Sequence, residues 1–418
     1  MHSNVARGAR GGFVWVAAAV AIVLVVALRN PDLLTSPRFW GEEGELFYQP
    51  ACTGSLWHAL TACPQDYYNL GCRLATLLAL AVPIERAPLV TTVFALLVQV
   101  LPGLLILRLA QQGAFRPWTA AVAIAAVLLG SPMHETWLTS TSSAYYFLLA
   151  GAVTIVFYEA LGLRATAWCI ALATGLSSTY AIGLLPFAAW LAVRQPSRGR
   201  TIATLLLLLG LLVQTVIYLT NDSGVARTSD LPPAIAVAAF FAKVYVLPVG
   251  GLGVADRVGV ELSWAIYEER FWRWTPLLLL PVVAMWAAVL ASGSRTARQL
   301  FVCGHLLAVT ALFGSLGQKH ELIGGLAGGR YFVPISALHM LGTLEALRPR
   351  SRWWVRLLPA VFLGATLLQG VRQYFDLPPG FFQGPDWRAE VAAWRRDPSH
   401  AMATWPANAH WRVRLPPP

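Results

Sequence analysis

The sequence predicts an all-α polytopic membrane protein, and three observations carry that expectation. Hydrophobic residues make up 57% of the 418 and charged residues only 12%, about half the charged share of an ordinary soluble domain. Mean hydropathy is +0.58. Runs such as GFVWVAAAVAIVLVVAL (12–28), LVTTVFALLVQVLPGLLIL (89–107) and TIATLLLLLGLLVQTVIYLT (201–220) approach the roughly 20 residues that carry a helix across a bilayer.

Taken in order, the expected spans are 12–28, 89–107, 118–132, 144–160, 165–176, 180–193, 201–219, 275–291, 299–317, 331–347 and 354–370. The first follows Arg7 and Arg10 and has no small-residue cleavage site after it, so it reads as an uncleaved signal anchor. Segments 66–82 and 232–248 are apolar, but the first carries Arg73 and the second Lys243 after two prolines. Both read as juxtamembrane or half-inserted helices on the outer side. A pair of extra spans would raise the count from eleven to thirteen. Segments 165–176 and 180–193 are short and split at SSTY (177–180); they count as two spans, with one broken helix as the alternative.

The arginines orient these spans. With the N-terminus inside, six short inner segments hold 14 basic residues: Arg7, Arg10, Arg108, Arg116, Arg164, Arg194, Arg198, Arg200, Arg295, Arg298, Arg348, Arg350, Arg352 and Arg356. Lys and Arg in short loops mark the cytoplasmic side. Of the 20 acids, 18 then fall outside, all but Glu159 and Glu345. The expected organisation is a transmembrane domain (1–370) followed by a short outer-face tail (371–418). The main outer loops are 29–88, 133–143, 220–274 and 318–330. An amphipathic helix over 386–396 should pack the tail on the outer loops. The net charge of +11 is dispersed, with no long basic block, which argues against nucleic acid as a partner.

Candidate chemistry sits in those outer loops. RFWGEEGELFYQ (38–49) places Glu42, Glu43 and Glu45 between aromatic pairs. Clustered carboxylates raise one another's pKa, and they serve either as oxygen ligands for a divalent metal or as a general base. Trp40 is a candidate for stacking on a sugar, and a solvated acidic face is the competing reading. SPMHETWLTSTSSAYYF (131–147) adds His134 and Glu135 at a membrane boundary; one His beside one Glu is not a zinc motif. GQKHELIGGLAGGRYFVP (317–334) adds Lys319, His320, Arg330 and Tyr331. Its glycines admit close backbone approach, and Arg330 suits a lipid phosphate. Cys52 and Cys63 share the first outer loop and are able to pair, with Cys72 as competitor.

FWGEEGELFY, the second acidic loop and the GRYFVP element together resemble GT-C superfamily integral membrane glycosyltransferases, in particular a bacterial branch dependent on polyprenyl-phosphate sugars. The resemblance spans most of the chain as architecture but only about 25 residues as motifs. It implies a GT-C-like fold in the bacterial inner (plasma) membrane, where the arginine distribution puts the N-terminus in the cytoplasm and the C-terminus on the periplasmic or extracellular side. It also implies that a first-loop carboxylate is the catalytic or metal-binding acid. By position that carboxylate is Glu43, supported by Glu42, with Glu135 as the second-loop acid; Glu stands where the family usually has Asp.

The function so implied is transfer of a sugar from a polyprenyl-phosphate donor to a lipid or glycan acceptor at the outer face. Glu43, Glu42 and Glu135 are its catalytic candidates, and Arg330, Lys319 and His320 would bind the lipid phosphate. Trp40, His134 and Tyr331 would contact sugar or acceptor. Magnesium or manganese is the cofactor considered, held by Glu42 and Glu43. A lipid-linked glycan flippase and a non-catalytic assembly subunit are the alternatives.

Overall fold

The computed structural model describes residues 2–64, 67–130, 134–220, 231–314, 322–324, 328–347, 352–376, 384–406 and 410–417. The principal helices are α1 (His2–Leu28), α2 (Leu70–Leu80), α3 (Ala87–Gln111), α4 (Pro117–Leu129), α5 (Ser143–Val156), α6 (Arg164–Ser177), α7 (Leu184–Arg194) and α8 (Arg198–Thr220). They continue as α9 (Pro233–Phe241), α10 (Leu247–Tyr267), α11 (Phe271–Ala291), α12 (Arg295–Gly314), α13 (Val333–Ala346), α14 (Trp353–Phe375) and α15 (Trp387–Arg396). The described strands are β1 (Met402–Ala403) and β2 (Arg412–Val413), paired antiparallel.

Six helical segments among the described residues are long and apolar enough to cross a membrane. The pair α6 and Thr179–Arg194, bent by 118° at its break, makes seven if it is one span. Phe13–Leu28, α2, α4 and α5 are shorter apolar helices. The chain is therefore an all-α, multi-pass membrane protein, with helices at the expected positions but several of them too short to span by themselves.

α5 and α13 form the centre. Every residue of α13 and all of α5 except Phe147 are buried, as expected of helices that are apolar around their whole circumference. α8 and α11 lie at the rim, where Leu205, Leu209, Leu212, Leu277, Leu280 and Val283 are exposed. A continuous apolar exterior of this kind suits lipid rather than water. α6 and α8 cross at Gly175 and Gly210: a Cβ at Gly175 would stand 2.6 Å from the Leu207 carbonyl oxygen. Small residues at such crossings let backbones approach where no hydrophobic effect drives helices together.

The segment expected to end as a half-inserted helix at 248 continues to Tyr267. It is a 35-residue helical run, Pro233–Tyr267, with a π turn at Ala242–Val246 and a break at Gly251 (φ 75°, ψ −177°). That backbone region is open essentially to glycine alone. Much of the expected loop 220–274 is thus helix. Its glycines lower local helix propensity, and packing of α10 on α14 outweighs that penalty; Gln369 of α14 fills the space beside Gly251.

The tail straps the first acidic segment. Asp386 caps α15 by accepting from the Arg388 and Ala389 N–H groups. Trp387, Val391 and Trp394 repeat on the buried face. The Trp387 ring meets Phe39 edge-on at 5.0 Å, and its indole N–H donates to the Ile84 carbonyl at 2.9 Å. Trp405 pairs with residues 39–41 in parallel: its N–H donates to the Phe39 carbonyl, and the Gly41 N–H donates to the Trp405 carbonyl, both at 2.8 Å.

Candidate functional site

The three carboxylates of EEGE point in three directions. They sit at the start of a π turn, Glu43–Tyr48, a local irregularity of the kind that recurs at functional sites. Glu45 accepts from the Arg412 N–H of the tail at 2.8 Å. Glu43 is buried, 3% exposed; one carboxylate oxygen accepts from the Trp40 N–H at 3.1 Å and the other from the Ser140 N–H. It thereby fastens the first acidic segment to the segment after Glu135. Burial pushes the Glu43 carboxyl up to about 7, although hydrogen bonds from Ser140 and Trp40 act in the opposite direction.

Among the described residues, Glu42 is the one of the three that meets a cation. Arg330 stands on the 3-10 turn Gly329–Phe332, which Gly328 (φ 67°) introduces in the left-handed region. Its Nη1 donates to both Glu42 oxygens at 3.2 and 3.3 Å, and its Nη2 donates to Oε1 at 3.2 Å. The Arg330 Nε lies 4.0 Å from a Glu135 oxygen. Burial disfavours the charge on Arg330, yet Glu42, its tyrosine neighbours and Glu135 carry the net shift upward, so the guanidinium stays protonated. Burial likewise raises the Glu135 carboxyl above its ordinary value, opposed by the charges of Arg330 and Lys243.

Beside this cluster lies a cavity of about 20 Å³, room for roughly one water. Tyr67, Tyr145, Tyr180 and Tyr331 surround it, with Arg330, Ser177 and Ser178 in its wall. Tyr331 meets Tyr145 and Tyr180 edge-on at 5.9 and 5.6 Å. The Ser177 and Ser178 hydroxyls are buried without a hydrogen-bond partner among the described residues. Both stand where α6 breaks before Tyr180. Aromatic faces, orphan hydroxyls and a guanidinium form a lining suited to a polyhydroxyl or phosphate-bearing group.

Of the residues expected from sequence, Glu42, Glu135, Arg330 and Tyr331 come together. Glu43 adjoins them but spends both oxygens on backbone N–H groups. Trp40 packs edge-on against Trp405 at 4.9 Å and is not among the cavity's lining residues. His134 begins the turn His134–Thr136, but its side chain lies outside the described residues, as do Lys319 and His320. Cys52, Cys63 and Cys72 are free thiols, so the pairing left open by the sequence is not made. Sequence reasoning missed Lys243, whose charge acts on Glu135; a lysine inside an apolar run was the available clue. It also missed Tyr67, Tyr145 and Tyr180.

Among the described residues no three His, Cys, Asp or Glu side chains are grouped to hold a metal ion. Glu42 and Glu43 diverge, and the carboxylates that do converge, Glu42 and Glu135, already share a guanidinium. No protein-family model, curated protein or solved structure matches the chain.

Proposed function

We propose that the chain is a GT-C-like glycosyltransferase of the bacterial inner membrane, moving a sugar from a polyprenyl-phosphate donor to an acceptor hydroxyl at the outer face. The observation that carries this reading is the meeting of Glu42, Glu135 and Arg330, from three distant connections, beside an aromatic and hydroxyl-lined cavity. The orientation follows the arginine distribution, with the N-terminus in the cytoplasm, and the eleven-span count belongs to the same proposal.

The roles follow from the contacts. A donor phosphate competes with Glu42 for Arg330 and frees the Glu42 carboxylate. Glu42, or Glu135 beside it, then accepts the proton of the acceptor hydroxyl as its oxygen bonds to the sugar's anomeric carbon. The bond from that carbon to the phosphate oxygen breaks, and its electron pair leaves with the phosphate, where Arg330 stabilises the growing charge. Glu43, first in line by position in the sequence, becomes the residue that sets the loop's register. The cavity must widen to admit a sugar, and the broken connection between α6 and Tyr180 is the wall best built to move.

The 118° bend at that break specifically favours a second reading, a lipid-linked glycan flippase, because discontinuous helices recur at transporter sites. Purified protein in vesicles of bacterial envelope lipids and glycolipids, whose hydroxyls serve as acceptors, given polyprenyl-phosphate-linked hexoses and pentoses with a labelled sugar, separates the two. Transferase activity releases label from the carrier; a flippase moves the carrier between leaflets with the label intact. If neither occurs, only an assembly role is left.

A further inference from the structure

A groove of about 630 Å³ lies between α7 and α12, away from the Glu42–Arg330 cluster. The two helices run antiparallel there. Thr310 of α12 donates to the Tyr180 carbonyl just before α7, while Arg194 in the last turn of α7 shares the groove with Arg295 and Arg298 in the first turn of α12. Three guanidiniums therefore gather at the end remote from Tyr180. All three are exposed, and none forms an ion pair among the described residues. Phe187, Trp190 and Val302 supply an apolar wall beyond them. Gln299 lines the same groove, is 7% exposed, and its Nε2 has no hydrogen-bond partner among the described residues. An unmet buried amide donor is costly, and an acceptor beside Gln299, next in sequence to Arg298 and one turn past Arg295, would remove that cost.

We infer that this groove binds one anionic phospholipid. The phosphate sits among Arg194, Arg295 and Arg298, an ester carbonyl accepts from Gln299 Nε2, and an acyl chain lies along Trp190 and Val302. Basic pockets between membrane helices hold acidic headgroups in this manner. The site is independent of sugar transfer.

The test is native mass spectrometry of the full-length protein in detergent, titrated with phosphatidylglycerol, phosphatidylcholine or glycerol 3-phosphate. One phosphatidylglycerol should bind in preference to phosphatidylcholine, and glycerol 3-phosphate should bind far more weakly because it lacks a chain. With each arginine near a headgroup worth about fivefold, the triple variant R194Q/R295Q/R298Q should bind phosphatidylglycerol on the order of 100-fold more weakly. Val302→Trp, which fills the groove and leaves the arginines intact, should also lose the lipid. Equal retention of the two lipids, unchanged binding in either variant, or glycerol 3-phosphate binding as tightly as the lipid would overturn the assignment.

Discussion

Glu42 and Arg330 stand 288 positions apart in the chain and meet in a forked ion pair, with Nη1 and Nη2 both at 3.2 Å from one carboxylate oxygen. Their side chains are only 12% and 19% exposed, so the pair is less screened than a surface bridge. Glu42→Gln leaves Arg330 with the more distant Glu135, and we expect a stability loss of about 2 kcal/mol. Thermal unfolding in detergent measures it; a melting temperature identical to wild type contradicts the coupling.

Glu43 gives a pH dependence of defined sign. Its folded-state carboxyl sits at about 7, above its unfolded value, so between pH 4.5 and 7 the folded protein holds a proton that the unfolded chain has released. Stability from this group is present at low pH and declines as pH rises through that window, by about 3 kcal/mol. Glu43→Gln should remove this slope while leaving slopes from other groups. Parallel stability curves for wild type and variant across that window would show that Glu43 is charged throughout.

The α6–α8 crossing has no room for a side chain. Gly175→Leu places a Cβ 2.6 Å from the Leu207 carbonyl oxygen and must push two backbones apart, at about 3 kcal/mol or more. Gly113 is the contrasting site: a Cβ there would meet nothing within 4 Å, but its φ is 75°. Gly113→Ala therefore costs only backbone strain of about 1–2 kcal/mol. Melting curves of the two variants should separate in that order.

The tail holds the acidic segment through Trp387, which is 1% exposed. Trp387→Ala should cost about 3–5 kcal/mol and loosen residues 38–49 selectively. Hydrogen exchange over that segment reports the effect; protection equal to wild type would mean that the first acidic segment keeps its shape without the strap.

Much of the fold was legible because apolar runs of bilayer length leave few alternatives. The limits of α3, α8 and α14 follow from the runs that predicted them. α10 was not legible: VGGLGVADRVGVEL carries four glycines and three charges, and only its packing on α14 makes it helical. In the site, the segments were readable but the facing of their residues was not. Glu42 and Glu43 are neighbours, and on a helix neighbours point about 100° apart, so spacing alone could not say which one meets Arg330. Tyr145 and Tyr180 lay in stretches noted for other reasons, and their meeting with Tyr331 needed the helices brought together.

Arg330→Lys is the most direct test of sugar transfer at this site. It keeps the charge and removes the fork that reaches Glu42 and, in the proposed reaction, the leaving phosphate. With the wild type turning over a polyprenyl-phosphate-linked sugar, release of labelled sugar by the variant should fall about 100-fold or more, while Glu45→Gln, in contact with the tail, keeps most of its rate. Equal rates for Arg330→Lys and wild type, or no sugar released by the wild type from any donor in the panel, would contradict it.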